Sequence, residues 1–263
     1  MATINDICQF MEKFAPTQLA EDWDNVGLLV GDRTLSVERV MTCLTVTPET
    51  VSEAIQRRVD LIVTHHPMPF RPMKRLTTDT IAEGIVWQLA RAGISVYSPH
   101  TGFDSAENGI NQNLGLRLGL EELESLIPNE DGVQNNGAGR LGRLPAPQTL
   151  DEFVSALKLN LSIESVQVVN ANGSPVERVA IACGSGGSFL GKAKARGCDT
   201  FVTGEATFHT CLEAEASGMS MVLLGHFASE RFAIESLAEL LGKSFGSTEI
   251  WASTTERDPL SWM

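Results

Sequence analysis

RVMTCLTVTPETVSEAIQRRVDLIVTHH (residues 39–66) and RVAIACGSGGSFLGKAKARGCDTFVTGE (residues 178–205) decide the fold. The two stretches align without a gap. Each opens on Arg-Val and an apolar run, passes through a helical segment, and reaches an aspartate 21 residues after its arginine (Asp60, Asp199). A second apolar run follows each aspartate. Val37–Val46, which runs into the first stretch, is apolar and β-branched, the signature of a strand. Pro48 then stands near the start of a helix running to about Arg58. Leu61–Val63 is a short buried strand ending in Thr64-His65-His66-Pro67. In the second stretch Gly204-Glu205 lies over His65-His66.

Working outward, residues 4–14 carry Ile4, Ile7, Cys8, Met11 and Phe14 at helical spacing, closed by Pro16. Thr80–Ala92 reads as a helix and Ile94–Ser98 as a strand ending at Pro99-His100. Strands separated by helices of this length predict parallel sheet built from βαβ units. Gly93-Ile94-Ser95-Val96 is matched by Gly218-Met219-Ser220-Met221. The strands that follow these glycines end in His100-Thr101-Gly102-Phe103-Asp104 and in His226-Phe227-Ala228-Ser229-Glu230, both His-x-x-x-carboxylate. The chain therefore reads as α/β: two similar α/β domains from a duplicated unit, with mixed or parallel sheets flanked by helices. The repeats are expected over 1–125 and 126–263. Pro128–Pro147, with Asn129-Glu130-Asp131-Gly132 and Asn135-Asn136-Gly137, reads as turn and loop chemistry just past the boundary. Ligands of such sheets collect beyond the carboxyl ends of the strands. A pseudo-twofold relation would turn both sets of ends toward one cleft.

Composition excludes several classes. The 263 residues carry 20 basic and 33 acidic side chains, a net charge of −13, which argues against a protein that wraps nucleic-acid backbone. No apolar run reaches the roughly 18 residues of a membrane span, and the first residues lack the basic-then-apolar order of a secretory signal. Cys8, Cys43, Cys183, Cys198 and Cys211 are odd in number, have no zinc-knuckle spacing and lie mostly among apolar neighbours. Buried, reduced thiols in a cytoplasmic protein are expected.

Four of the five histidines fall at the strand ends, in the set His65, His66, His100, Asp104, Glu205, His226 and Glu230. Imidazole and carboxylate are ligands for Zn, Fe, Mn or Ni. Adjacent histidines on a strand point to opposite faces, but a turn before Pro67 fans them out. His226 and Glu230, four apart, share one face of a helical turn. Mixed ligands in this number point to a dinuclear metal site in the cleft between the domains rather than one structural zinc.

Glu21–Leu28 (EDWDNVGL), Val63–Pro67, His100–Asp104, Gly184–Ser188, Val202–Glu205 and Gly225–Arg231 (GHFASER) occur in the order found in the GTP cyclohydrolase 1 type 2 family, also called NIF-three-like. The chain resembles that family over essentially its whole length, in the short form without an inserted central domain. The resemblance implies two similar α/β domains, a dinuclear site ligated by His65, His66, Asp104, His226 and Glu230, and a ring-shaped homohexamer. It leaves His100 and Glu205 to orient ligands or move protons in a catalytic role. The family label implies hydrolytic opening of the guanine imidazole ring of GTP with release of formate.

Such a site serves equally for a phosphoester or an amide. Arg71, Lys74 and Arg75 either hold a triphosphate or form a solvated loop. Gly184-Ser185-Gly186-Gly187-Ser188 either cradles an anion or makes a tight packed turn, and it lacks the phosphate-loop lysine. Trp23 belongs either to the core or to a lid or subunit contact. The leading expectation is a metal-dependent hydrolase of a nucleotide-like small molecule. The alternatives are a metal-binding regulatory or partner-binding protein without activity, and metal storage.

Overall fold

The computed structural model describes residues 1–129, 136–171 and 173–261. Two compact units make up the chain, one of Met1–Phe103 with Ala233–Pro259 and one built on Asp104–Phe232. The chain passes from the first to the second inside the short helix His100–Ser105. The repeat boundary read at 125/126 lies within strand Glu121–Pro128, which pairs antiparallel with Gly137–Gln148. Backbone pairing, not the repeat, sets the division. Strand Glu249–Ala252 likewise returns the C-terminal segment to the first unit by pairing parallel to Arg39–Cys43.

In the first unit the sheet runs Glu249–Ala252, Arg39–Cys43, Leu61–Thr64, Ser95–Ser98, Gly27–Val30. The first four strands are parallel and the last is antiparallel. Helices Pro48–Gln56 and Ile81–Ala92 make the crossovers. Each starts where a threonine side chain accepts the hydrogen bond of an otherwise orphaned amide, Thr47 from Thr50 and Thr80 from Glu83. Pro48 fits the first turn, where no amide is needed. Gly93 ends the second helix with φ 70°, the left-handed conformation glycine adopts without steric cost. Helix Ile4–Phe14 begins at a Thr3/Asp6 capping box and buries Ile4, Ile7, Cys8 and Met11.

The second unit repeats this plan. Val176–Ala182, Thr200–Thr203 and Ser220–Leu223 are parallel, and Gln167–Val169 pairs antiparallel with the last. The register is conserved between units: Val40 pairs with Leu61 as Val179 pairs with Thr200, and Leu61 pairs with Ser95 as Thr200 pairs with Ser220. The cores differ in how they are filled. Met41, Ile62 and Val96 in one are replaced at equivalent strand positions by Ala180, Phe201 and Met221 in the other, all fully buried. A large residue on one strand is offset by a small one beside it, which keeps packing density near that of other interiors.

Next to Val176–Ala182 the second sheet adds an antiparallel strand, Gly137–Gln148, where the first adds a parallel one. Most of this strand was expected to be loop. Its glycines, Gly137, Gly139 and Gly142, are explained by close backbone approach, because a side chain on any of them would meet a neighbouring backbone oxygen within 3 Å. Arg140, at the same strand, is fully buried. Its guanidinium donates to the carbonyls of Gly137, Gly139 and Ala106 and to Gln112 Oε1, and burial lowers its pKa to about 10. The Asn129–Gly132 turn and Asn135 lie mostly outside the described residues.

Candidate functional site

Each unit carries a His or carboxylate set at the carboxyl ends of its parallel strands. In the first unit the ladder continues past Leu61–Thr64: His65 N donates to Cys43 O at 3.0 Å and His66 N to Leu44 O at 2.8 Å. Ser98 Oγ donates to His65 O at 2.6 Å. These bonds hold the two histidines rigidly at the strand end. Their rings do not diverge as on a regular strand. The centroids are 5.0 Å apart, and both rings face His100 at 5.2 and 5.7 Å. One nitrogen from each of the three lies within 4.8 Å of the others.

Two of the three rings are oriented through Nδ1. His66 Nδ1 bonds Thr45 Oγ1 at 2.7 Å and His100 Nδ1 bonds Asp24 Oδ1 at 2.7 Å, which leaves Nε2 as the outward nitrogen of both. Asp24 also accepts from the amide and hydroxyl of Thr101. Burial alone would raise its carboxyl, but the bonds from His100 and Thr101 prevail and hold it at about 2. His100 opens its helix with φ 32°, an uncommon angle for a side-chain-bearing residue and a form of strain that clusters at functional sites. Thr45 is further tied by its amide to Glu256 Oε1 at 2.6 Å.

The second unit gathers Asp104, Glu205, His226 and Glu230. His226 opens helix His226–Glu230, so Glu230 returns one turn later and its Oε2 lies 3.2 Å from His226 Nε2. On the other side of the ring, Nδ1 meets Glu205 Oε1 at 2.9 Å. The hydrogen bond to buried Glu230 outweighs burial and, with Glu205, raises the imidazole to about 9. Glu205 is lowered by Ser185 and then by His226. Asp104 and Glu230 offer oxygens within 4.8 Å of each other. Between them in charge stands Cys183, whose Sγ donates to Asp104 Oδ1 at 3.1 Å. Burial pushes its thiol well up, and both carboxylates add to the shift.

Sequence reasoning named Cys183 only as a buried thiol and did not assign Thr45 a role. Cys183 sits at a strand end, under Leu44 in the alignment, and that place is the signal that marks it. Trp23, whose core placement was one expectation, is 63% exposed. Arg71, Lys74 and Arg75 are all exposed. Lys74 and Arg75 line an open groove of about 340 Å³ together with Leu29, Val30 and Val86, and Arg71 is not part of its lining. The glycine loop is a packed turn. Gly184 N donates to Ser229 Oγ at 2.9 Å and Gly186 N to Thr203 Oγ1 at 3.1 Å, so these amides serve the fold rather than an anion. No helix among the described residues is long and apolar enough to cross a membrane.

Residues 2–259 match the Duf34/NIF3 (NGG1p interacting factor 3) family. The chain is 33% identical over 260 residues to a GTP cyclohydrolase 1 type 2 homolog of Clostridium acetobutylicum, covering 97% of each. It is 34% identical over 269 residues to the protein NIF3 homolog of Schizosaccharomyces pombe, covering 96% of this chain and 95% of that one. The crystal structure of Staphylococcus aureus protein SA1388 is similar at a TM-score of 0.89 and 27% identity, covering 100% of this chain and 99% of that one. The His/carboxylate strand ends, the doubled α/β plan and these likenesses agree: the chain belongs to the Duf34/NIF3 family.

Proposed function

We propose that the protein is a metal-dependent hydrolase of a nucleotide-like small molecule, with opening of the guanine imidazole ring of GTP as its reaction. The observation that carries this reading is the convergence of His65, His66 and His100, with Nδ1 of two rings tied to Thr45 and Asp24. A metal-ligating histidine is oriented in this way by a partner on its second nitrogen, as His66 is by Thr45, and His100, which moves protons beside the ligands in this reading, is held likewise by Asp24. The carboxylates of the second unit supply oxygen donors of the right hardness. The ligands in this reading are His65, His66, Asp104, His226 and Glu230, and the group they suit is a pair of divalent ions, Zn, Fe, Mn or Ni.

Ions held by such a set supply Lewis acidity that brings the pKa of water toward neutrality. The chain's own residues do the rest. His100 and Glu205 carry protons, each with a fixed partner, Asp24 and Ser185. Arg71, Lys74 and Arg75 hold the triphosphate. In the reaction water adds at C8 of the purine, the C8–N9 bond opens, and hydrolysis of the resulting formamide releases C8 as formate. Assembly into a toroidal homohexamer in the cytoplasm belongs to the same reading.

The test strips the protein of metal, restores Zn, Fe, Mn or Ni singly, and assays GTP for formate and a ring-opened product. Turnover dependent on metal and lost in His65→Ala supports the reading, and no turnover with any metal ends the GTP version. A second reading, a metal-binding partner protein, draws on the family's description as an interacting factor. It predicts one stoichiometric partner whose capture survives loss of His65 and His66.

A further inference from the structure

We propose that Trp23 and Phe70 form a stacking surface for the planar heterocycle of the substrate, at the edge of the histidine cluster. This rests on the reading that the histidines serve a nucleotide-like molecule. Trp23 is 63% exposed and Phe70 50%, a large apolar area to leave in water beside a polar cluster. The two rings are not scattered. Their centroids lie 6.2 Å apart at 45°, and each is 6.0 Å from the His100 ring, at 79° and 75°. The three centroids make a near-equilateral triangle, with both aromatic rings nearly perpendicular to the imidazole, and that imidazole belongs to the cluster with His65 and His66.

The segments that carry the pair are tied together. Asn25 Nδ2 donates to Pro69 O at 2.8 Å, which joins the segment behind Trp23 to the one before Phe70. Asp24 takes the amide of Asn25 at 2.8 Å and Nδ1 of His100 at 2.7 Å. Glu21 N donates to Thr101 Oγ1 at 3.0 Å. Trp23 and Phe70 are thus neighbours of residues fixed to one another, so stacking a ring on them costs little ordering. The exposed parts of the two rings offer an aromatic surface on which a flat ring can stack, and every nucleobase has such a face. Arg71 follows Phe70 in the chain and is exposed, a cation free to meet a phosphate carried by such a ring. The ligand class is a purine or similar heterocycle carrying an anionic group, its ring on Trp23 and Phe70.

Calorimetric titration of the intact protein with guanosine, which has the ring and no phosphate, and with ribose 5-phosphate, which has the phosphate and no ring, tests this. Trp23→Ala and Phe70→Ala are each expected to weaken guanosine about tenfold or more and to leave ribose 5-phosphate unchanged. Trp23→Phe is expected to keep most of the affinity. Circular dichroism and metal content unchanged from wild type confirm that the variants are folded. Guanosine binding equal in wild type and Trp23→Ala, or absent from wild type, overturns the proposal. So does a fall in molar mass by light scattering in Trp23→Ala with guanosine binding intact, which makes the pair a contact between copies of the chain. The readout needs no turnover. Guanosine binding that depends on Trp23, with no formate from GTP, sinks the reaction and keeps the surface. Formate release indifferent to Trp23 and Phe70 sinks the surface and keeps the reaction.

Discussion

Asp60 and Asp199 do the same work in the two units. The Asp60 carboxylate accepts from the amides of Glu38 and Arg39 at 2.8 and 2.9 Å, and the Asp199 carboxylate from those of Glu177 and Arg178 at 3.1 and 2.7 Å. Each aspartate also donates its own amide to the arginine carbonyl, Asp60 to Arg39 at 2.9 Å and Asp199 to Arg178 at 3.0 Å. A strand start is closed in this way by an acid from the neighbouring strand. Hydrogen bonds to a charged group contribute roughly 1.5–3 kcal/mol each and leave costly unmet amides when removed. Asp60→Ala and Asp199→Ala are expected to lower stability by about 2 kcal/mol apiece in urea unfolding. Losses that differ several-fold would break the equivalence of the two positions.

This pairing explains how much could be read from the chain. An aspartate 21 residues after an arginine, in both halves, carries register, and register carries the sheet. The His-x-x-x-carboxylate pairs were legible for the same reason: both begin a helix at the histidine, as helices His100–Ser105 and His226–Glu230 show. What was not legible depends on contacts between residues far apart. Strand Gly137–Gln148 is rich in glycine and proline and reads as loop, yet a neighbouring strand on each side and buried Arg140 make it sheet. The return of Glu249–Ala252 to the first sheet lies more than 200 residues from its partner, and no local pattern announces it. Exposure of Trp23 runs against its size, and only the neighbouring Phe70 and His100 rings give it a reason.

Thr45 is expected to set the tautomer of His66. Its hydroxyl is 2.7 Å from Nδ1, so the ring presents Nε2. Thr45→Val keeps the shape and removes the oxygen. Loss of such a partner lowers metal affinity about 10- to 100-fold. Competition with a fluorescent chelator measures this directly, and unchanged affinity would mean that His66 is not a ligand.

His226 and Glu230, 3.2 Å apart, are expected to act together. His226→Ala with Glu230→Ala removes most bound metal, read by elemental analysis, while circular dichroism and the unfolding midpoint show a folded protein. Undiminished metal content would refute the ligand assignment in the second unit.

Glu53 gives the pH dependence. Its carboxylate is buried and accepts from Ser253 Oγ at 2.6 Å, from Thr255 Oγ1 at 2.9 Å and from the amides of Thr254 and Thr255, fastening the C-terminal segment to helix Pro48–Gln56. Burial raises its pKa, but these bonds prevail and bring it from 4.5 to about 2. A carboxyl depressed in the folded state contributes stability above its unfolded pKa and loses it as pH falls toward the folded value. The contribution, about 2–3 kcal/mol, is therefore complete at neutral pH and fades between about 4.5 and 2. Glu53→Gln is expected to be less stable than wild type at pH 7 and to approach it near pH 2 in urea titrations. A constant difference across that range would show that the carboxylate charge contributes nothing.

Gly184 is expected to be needed for Glu230 rather than for a phosphate. Its φ is +58°, and a side-chain carbon there would fall inside contact distance of Glu230 Oε1 and 3.4 Å from His226 Nε2. Gly184→Ala therefore bears two costs. The first is the left-handed backbone, about 1 kcal/mol. The second is displacement of a carboxylate that is 3% exposed and paired with His226. Gly93 separates the two, since its φ is +70° with nothing within 4 Å of a built side-chain carbon. Gly93→Ala is expected to lose about 1 kcal/mol in urea and keep its full metal content. Gly184→Ala is expected to lose at least as much stability and most of its metal as well. If both variants keep their metal, the Glu230 carboxylate tolerates displacement and is not held as a ligand by the turn beneath it.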